Sequence, residues 1–334
     1  MTGVDWGFVL LFAFAATAIA IAILRRSRLA RHFSDVPNER SLHDAPVPRL
    51  GGVALIVAAA IASIAFADHA VTVVLGCAVF LCAVSLLDDR RSLPIQVRLP
   101  AHFAAAIVAV LAIGMPATAH SGAVAVECGI ATLAIVWTTN AFNFMDGADG
   151  LAGGMAAIGF GCLAVGAGMA GAQPIAAACA ALASASLGFL VHNFPPARVF
   201  LGDSGSVPLG FLAGALGWLG VASSAWPAWF PLLAFAPFLV DATATLLGRV
   251  ARGERFWIAH RSHAYQRLVL AGWTHRRLAL AAYVLMALTA CAALTALRSD
   301  STVRTGILSG SATFYVLAFL AIEARLRRTT TRQT

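Results

Sequence analysis

The sequence predicts an all-α, polytopic membrane protein of about eleven transmembrane helices, with the N-terminus outside (periplasmic) and the C-terminus cytoplasmic. Three observations predict it. Of the 334 residues 60% are hydrophobic and 11% charged, with a mean hydropathy of +0.83, whereas soluble domains are about half apolar and a quarter charged. The apolar residues gather in runs close to the roughly 17–25 residues that a helical crossing needs. The cations between those runs fall almost entirely on alternate linkers.

The expected spans are 4–24, 50–66, 71–87, 99–115, 124–139, 151–169, 174–194, 207–221, 229–250, 278–297 and 305–324. The first is followed by Arg25-Arg26-Ser27-Arg28, a stop-transfer pattern, so it reads as a retained span and not a cleaved leader. Span two opens at a Gly-Gly pair, span three ends on Asp88-Asp89, and spans five and six flank a polar stretch at 140–150. Pro208 borders or interrupts span eight, and Pro231 and Pro237 interrupt span nine. With the first linker inside, all but Arg298 and Arg304 of the 23 basic residues lie on one face, and every one is arginine. The positive-inside rule makes that face cytoplasmic. The net charge of +8 is thus an orientation signal with some attraction to anionic lipid of the inner membrane; nucleic acid is not needed to explain it. Cys77, Cys82, Cys128, Cys162, Cys179 and Cys291 lie in or beside apolar runs without a C-x-x-C pair and read as small buried hydrophobes.

Residues 1–334 form one integral-membrane domain. Its chemically dense loops, 25–49, 88–98, 140–150, 195–206 and 251–277, all fall on the cytoplasmic face, while the opposite loops are short and plain. A transporter places its polar groups near the midplane, often in broken helices. Polar groups crowded at one face suit an enzyme that meets a soluble substrate from the cytoplasm and a lipid from the bilayer.

Five stretches carry candidate chemistry. In 40–52, Arg40, His43 and Arg49 are of the kind that grips a phosphate, although a basic interfacial anchor is the plainer reading. Asp88 and Asp89 are adjacent carboxylates, which favour a metal, a cation or a proton between them. One could act as base or nucleophile; a helix end offset by Arg90 and Arg91 is the alternative. In 140–150 the positions Asn140, Asn143, Asp146 and Asp149 recur every three residues, so a straight helix turns the last away from the first. Gly147 and Gly150 let the chain leave the helix and turn them inward. Hard oxygen ligands of this kind suit Mg²⁺ or Mn²⁺. The stretch 193–206, opened by Asn193, sets Asp203 between Gly202 and Gly205, where backbone amides can approach a diphosphate, and Phe200 could stack on a base. No G-x-S-x-G elbow supports a serine nucleophile. His260, Arg261 and His263 suit phosphate more than zinc, which would require a third ligand. His102 and His192, alone in apolar surroundings, read as packing residues.

Together these stretches resemble the polyprenyl-phosphate N-acetylhexosamine-1-phosphate transferases. The matching residues are Pro37-Asn-Glu-Arg-Ser-Leu-His, Pro48-Arg-Leu-Gly-Gly, Asp88-Asp89, Asn140-x-x-Asn-x-x-Asp-Gly-x-x-Gly-Leu-Ala, Phe200-Leu-Gly-Asp-Ser-Gly-Ser and His260-Arg-Ser-His-Ala-Tyr-Gln. They stand in family order over roughly residues 37–270. The resemblance implies transfer of a sugar 1-phosphate from a UDP-N-acetylhexosamine to undecaprenyl phosphate at the bacterial inner membrane, with release of UMP and dependence on Mg²⁺ or Mn²⁺. It implies that Asp203 is the principal metal ligand, with Asp146 beside it, and that Phe200 stacks on uracil. Asn140, Asp146 and Asp149 would help bind nucleotide and diphosphate. Asp88 and Asp89 would sit near the lipid phosphate, and His260, Arg261 and His263 would hold sugar or diphosphate. A homodimer is one assembly open to such a chain.

Two departures separate the sequence from the muramoyl-pentapeptide branch of that family. It has Asp44 and no lysine where that branch carries a lysine, and Arg-Ser-His in place of its three histidines. It looks instead like the branch that initiates O-antigen and other surface polysaccharides. Two other readings compete. A CDP-alcohol phosphatidyltransferase is partly echoed by Asn143-x-x-Asp-Gly, but that family's following Ala-Arg and paired downstream acids are missing. A transporter of an anionic solute would use the arginines as a funnel.

Overall fold

A computed structural model describes residues 6–35, 46–115, 124–255 and 260–330. Arg40 and His43 lie outside the described residues. The chain is helical almost throughout: α1 Trp6–Leu24, α2 Arg28–His32, α3 Gly51–Ile64, α4 His69–Arg91, α5 Ile95–Ile113, α6 Val124–Met145, α7 Leu151–Met169, α8 Gln173–Asn193, α9 Asp203–Ala222, α10 Trp229–Ala234, α11 Ala236–Ala251, α12 Ala264–Leu270, α13 His275–Arg298 and α14 Ser301–Thr330. Two-residue strands, β1 Ser34–Asp35 and β2 Val47–Pro48, pair antiparallel across the first linker. Among the described residues nine helices are long and apolar enough to cross a membrane. The protein is an all-α polytopic membrane protein.

Each expected span coincides with a helix or, for the ninth, a helix pair, and three departures bear on function. The second span is only the 14 residues of α3. The ninth is broken at Phe235 into α10 and α11. Pro237 cannot donate the N–H that would continue the helix through this point. Beyond the break, α11 buries Phe238, Asp241, Ala242, Thr245 and Arg249 along one face, so it turns polar groups inward. Finally, the polar stretch expected as a loop from 140 remains helical to Met145. Asn140 and Asn143 therefore project from the last turns of α6, and only residues 146–150 leave the helix.

The core lies where α7 packs on α8, α8 on α1 and α3, and α9 on α4 and α6. Small residues let these helices meet closely, as expected where lipid offers no hydrophobic drive to associate. A close approach joins α3 to the start of α9 and the residues just before it. Gly51 and Gly52 donate backbone N–H groups to the carbonyls of Phe200 and Leu201, each at 3.0 Å. A Cβ on Gly52 would collide with the backbone of Gly205. His192, half-buried, ties α8 to α1, its Nε2 lying 3.0 Å from the carbonyl of Ala18. By contrast α14 is barely covered, with 6% of its apolar window buried.

Candidate active site

The ends of α4, α5, α6, α9 and α11 and the segment 260–266 surround a cavity of about 680 Å³. One part is polar, lined by Asp88, Arg98, Asn140, Asn143, Asp203 and the pair His260 and His263. The remainder is apolar, with Leu133, Val136, Trp137 and Leu246 among its walls. On α5 the lining positions Ile95, Arg98, Leu99 and His102 follow one helical face. His102 is buried, as expected of a packing residue, and forms part of the wall of this cavity.

The two adjacent aspartates part company. Asp88 lines the cavity, with Oδ2 accepting from Nη1 of Arg98 at 3.0 Å and Oδ1 from the N–H of Leu93 at 2.6 Å. Asp89 is not among the lining residues, and its side chain is only 2% exposed. Its two oxygens accept from the N–H groups of Asp203 (3.2 Å) and Ser204 (3.0 Å). It therefore caps the N-terminus of α9 from a neighbouring helix, where a carboxylate is favoured. Asp89 thus lies off the cavity lining, with its carboxylate engaged by the two amides that follow Gly202. Gly202 permits the cap through φ = +73°, and a Cβ there would lie 2.9 Å from Asp89 Oδ2.

Asp203 is turned to the cavity, with Oδ1 accepting from Nδ2 of Asn143 at 2.9 Å and Oδ2 3.8 Å from Nη1 of Arg98. Asn143 also donates to Ser206 Oγ at 3.1 Å, while Nδ2 of Asn140 bonds the carbonyl of Val136 one turn back. Asp146 follows the end of α6. Burial first, then the charges of Asp203 and Asp89, push its carboxyl up to about 8. Arg49 offsets part of this charge, lying 4.0 Å from Asp89, but its main partner is Asp35 at 2.7 Å. Arg49 thus bridges the carboxylates of Asp35 and Asp89.

The second turn of the acidic loop is a clamp. Asp149, expected at the nucleotide, accepts from the N–H of Ala197 at 3.0 Å and pairs with Nδ1 of His275 at 3.2 Å. Asn193 accepts from the N–H of Gly150 (2.9 Å) and donates to the carbonyl of Val199 (2.8 Å). Both residues tie loop 146–150 to loop 194–199 and lie off the cavity lining. Phe200 is likewise not among the lining residues; its N–H donates to the carbonyl of Pro48 at 2.8 Å. On the facing segment, His260 Nδ1 is 2.7 Å from Ser262 Oγ, and the rings of His260 and His263 have centroids 5.0 Å apart. Burial, reinforced by Arg249 and His263, pushes His260 down to about 4, so its ring is neutral near pH 7. Arg261 does not line the cavity.

The acidic groups fit a hard divalent cation. Asp203 and Asp146 offer oxygen donors, and Asp146 is buried close enough to Asp203 and Asp89 that burial first, then their like charges, raise its carboxyl, an environment that a bound cation would relieve. Among the described residues no three His, Cys, Asp or Glu side chains form a closed metal cage. Mg²⁺ does not need one, since it commonly takes one or two carboxylates and completes its shell with water and substrate phosphate.

The family model described as glycosyl transferase family 4 matches residues 71–221, from α4 to the end of α9. A probable undecaprenyl-phosphate N-acetylglucosaminyl 1-phosphate transferase of Bacillus subtilis is 29% identical over 280 residues, covering 80% of this chain and 78% of that one. A decaprenyl-phosphate N-acetylglucosaminephosphotransferase of Mycolicibacterium smegmatis is 32% identical over 292 residues, with 74% and 71% covered. A phospho-N-acetylmuramoyl-pentapeptide-transferase of a Nostoc species is 30% identical over 318 residues, 84% of each chain. The chain belongs to the polyprenyl-phosphate hexosamine-1-phosphate transferase family.

Within this transferase, the described residues expected from the sequence that face the cavity are Asp88, Asn140, Asn143, Asp203, His260 and His263; Asp146 is not among the lining residues but interacts electrostatically with Asp203. Four residues of the site carry no clear signal in the sequence. Arg98, expected in the loop 88–98, lies on α5 between Asp88 and Asp203. Asp241, Tyr265 and His275 act through partners distant in sequence. The four-residue spacing of Asp241, Thr245 and Arg249, which aligns polar groups on one face of an otherwise apolar run, could have revealed the first.

Proposed function

We propose that this protein transfers N-acetylhexosamine 1-phosphate from a UDP-sugar to a polyprenyl phosphate at the cytoplasmic face of a bacterial inner membrane, releasing UMP. One observation carries the reading: in a chain of this family, a single cavity joins carboxylates, an arginine and histidines to an apolar wall. Such a cavity can admit a charged nucleotide sugar and a lipid phosphate together. The polyprenyl chain would lie along Leu133, Trp137 and Leu246, and its phosphate would meet Arg98.

Asp203 and Asp146 would hold Mg²⁺ or Mn²⁺, which supplies charge neutralisation and Lewis-acid activation of the donor diphosphate. Asp88 then takes the proton from the acceptor phosphate. An acceptor oxygen bonds the β-phosphorus of the donor as the bond from that phosphorus to the bridging oxygen breaks. The α-phosphate leaves on uridine as UMP. Asn140 and Asn143 orient the donor on one side, and His260 and His263 on the other.

N-acetylglucosamine is the first sugar to test, because the Bacillus and Mycolicibacterium relatives are named for it. The Arg-Ser-His pattern and the lack of lysine support a role in starting a surface polysaccharide such as O-antigen. The Nostoc relative supports a second reading, in which the donor is UDP-N-acetylmuramoyl-pentapeptide. The test is UMP release by detergent-purified protein with undecaprenyl phosphate, Mg²⁺ and a panel of UDP-sugars that includes the pentapeptide donor. Release that requires lipid phosphate, metal and one N-acetylhexosamine donor supports the reading. Release with the pentapeptide donor alone moves the protein to the other branch, and uptake of an anion without release would make it a transporter.

A further inference from the structure

The buried carboxylate of Asp241 belongs to none of the steps above, yet it joins the two walls between which the donor must fit. It sits on the inward face of α11, 8% exposed. Oδ1 accepts from Thr245 Oγ1 at 3.0 Å and from the N–H of Ala264 at 2.9 Å. Oδ2 accepts from the N–H of Tyr265 at 3.2 Å. These are the first amides of α12, and this carboxylate from another element adds to the local capping bond, in which the N–H of His263 donates to Gln266 Oε1 at 3.4 Å. Nδ1 of His263 stands 3.5 Å from Oδ1, so the same group faces the ring that lines the cavity.

The chain of contacts continues from Tyr265. Its hydroxyl donates to the carbonyl of Phe144 at 3.0 Å, in the last turn of α6. Burial raises the phenol's pKa, which keeps this donor protonated. The hydroxyl also fills the space where any side chain on Gly147 would have to go. On the same turn the Phe144 ring stacks on His263 with centroids 6.0 Å apart. That turn carries Asn143 just before it and Asp146 just after it. The separation between the asparagine–aspartate wall and the histidine wall is therefore fixed through α11, Asp241, α12 and Tyr265.

We propose that Asp241 is a positioning residue for the donor: by seating α12 and Tyr265 it holds His263 at a set distance from Asn143 and Asp146. The inference rests on the reading of the cavity given above, and it concerns the nucleotide-sugar side alone. The lipid phosphate meets Arg98 and Asp88, which Asp241 does not touch.

Asp241→Asn keeps the shape but turns one of the two acceptor oxygens into a donor, so the bonds from Ala264, Tyr265 and Thr245 cannot all be kept. Tyr265→Phe removes only the bond to Phe144. In purified full-length protein, each should raise KM for the UDP-sugar about fivefold or more and leave KM for undecaprenyl phosphate within about twofold. The double variant should be no worse than the poorer single, since both cut one chain of contacts. Hydrogen–deuterium exchange should quicken at 144–148 in both singles. Effects that multiply in the double variant, equal rises in both KM values, or unchanged exchange at 144–148 would each overturn the proposal. If Asp241→Asn does not fold, Tyr265→Phe carries the same comparison. If the wild type releases no UMP from any donor, the functional reading fails, while the exchange data still decide whether Asp241 and Tyr265 position the end of α6.

Discussion

At the scale of single residues, two aspartates in direct contact have opposite consequences. Asp203 is turned to the cavity, whereas Asp89 spends both oxygens on the start of α9. Asp203→Asn should cut UMP release by about a hundredfold or more, the scale of losing one group that stabilises the transition state. It should keep its melting temperature, because it removes one of several like charges. Asp89→Asn can serve only one of the two amides and should lose about 1 kcal/mol of stability, together with activity. Scanning fluorimetry alongside UMP release separates the two; a stable, inactive Asp89→Asn would restore it to the chemistry. His260 gives a pH prediction. Its pKa falls from 6.5 to about 4 in the folded protein, so folding favours the neutral ring. That contribution is complete above pH 6.5 and is lost as pH drops toward 4. The melting temperature of His260→Gln should fall less over this range than that of the wild type.

At the scale of elements, the contact between α3 and α9 sets where Asp203 stands. Gly52→Ala forces a Cβ against the backbone of Gly205, and overpacking of this kind costs about 1–3 kcal/mol. A lower melting temperature with a raised KM is expected, and an unperturbed variant would show that the two helices can part freely. The helices themselves were legible in the sequence because apolar runs and a lopsided arginine count are direct consequences of bilayer physics. What escaped was the inside of those runs. Asp241 hid within a span read as apolar, and α6 carried its asparagines as helix, because nothing local stops it before residue 146. The motifs at Asp88, Asn143, Asp203 and His263 were legible as chemistry, since unpaired polar groups at a membrane face are costly. Which of their members face the cavity was not, because that depends on partners distant in sequence: Ala197 for Asp149, and the amides of α9 for Asp89.

For the whole molecule, the arginine distribution predicts sidedness, and the proposed chemistry needs it, since nucleotide sugars are cytoplasmic. A cysteine at Arg252 (Arg252→Cys) should react with a membrane-impermeant maleimide only after lysis, and one at Ser299 (Ser299→Cys) also in cells with an intact inner membrane. The reverse pattern would place the cavity on the wrong side for a UDP-sugar. The central claim is that the bond broken lies between the two phosphates of the donor, so the most direct measurement follows each phosphorus. UDP-N-acetylglucosamine labelled with ³²P at the β-position, or at the α-position, is incubated with protein, Mg²⁺ and undecaprenyl phosphate, and the mixture is partitioned into organic solvent. The account predicts β-label in the lipid phase and α-label in water as UMP. β-Label that stays in water as UDP while sugar enters the lipid would mean simple glycosyl transfer, and would contradict the account.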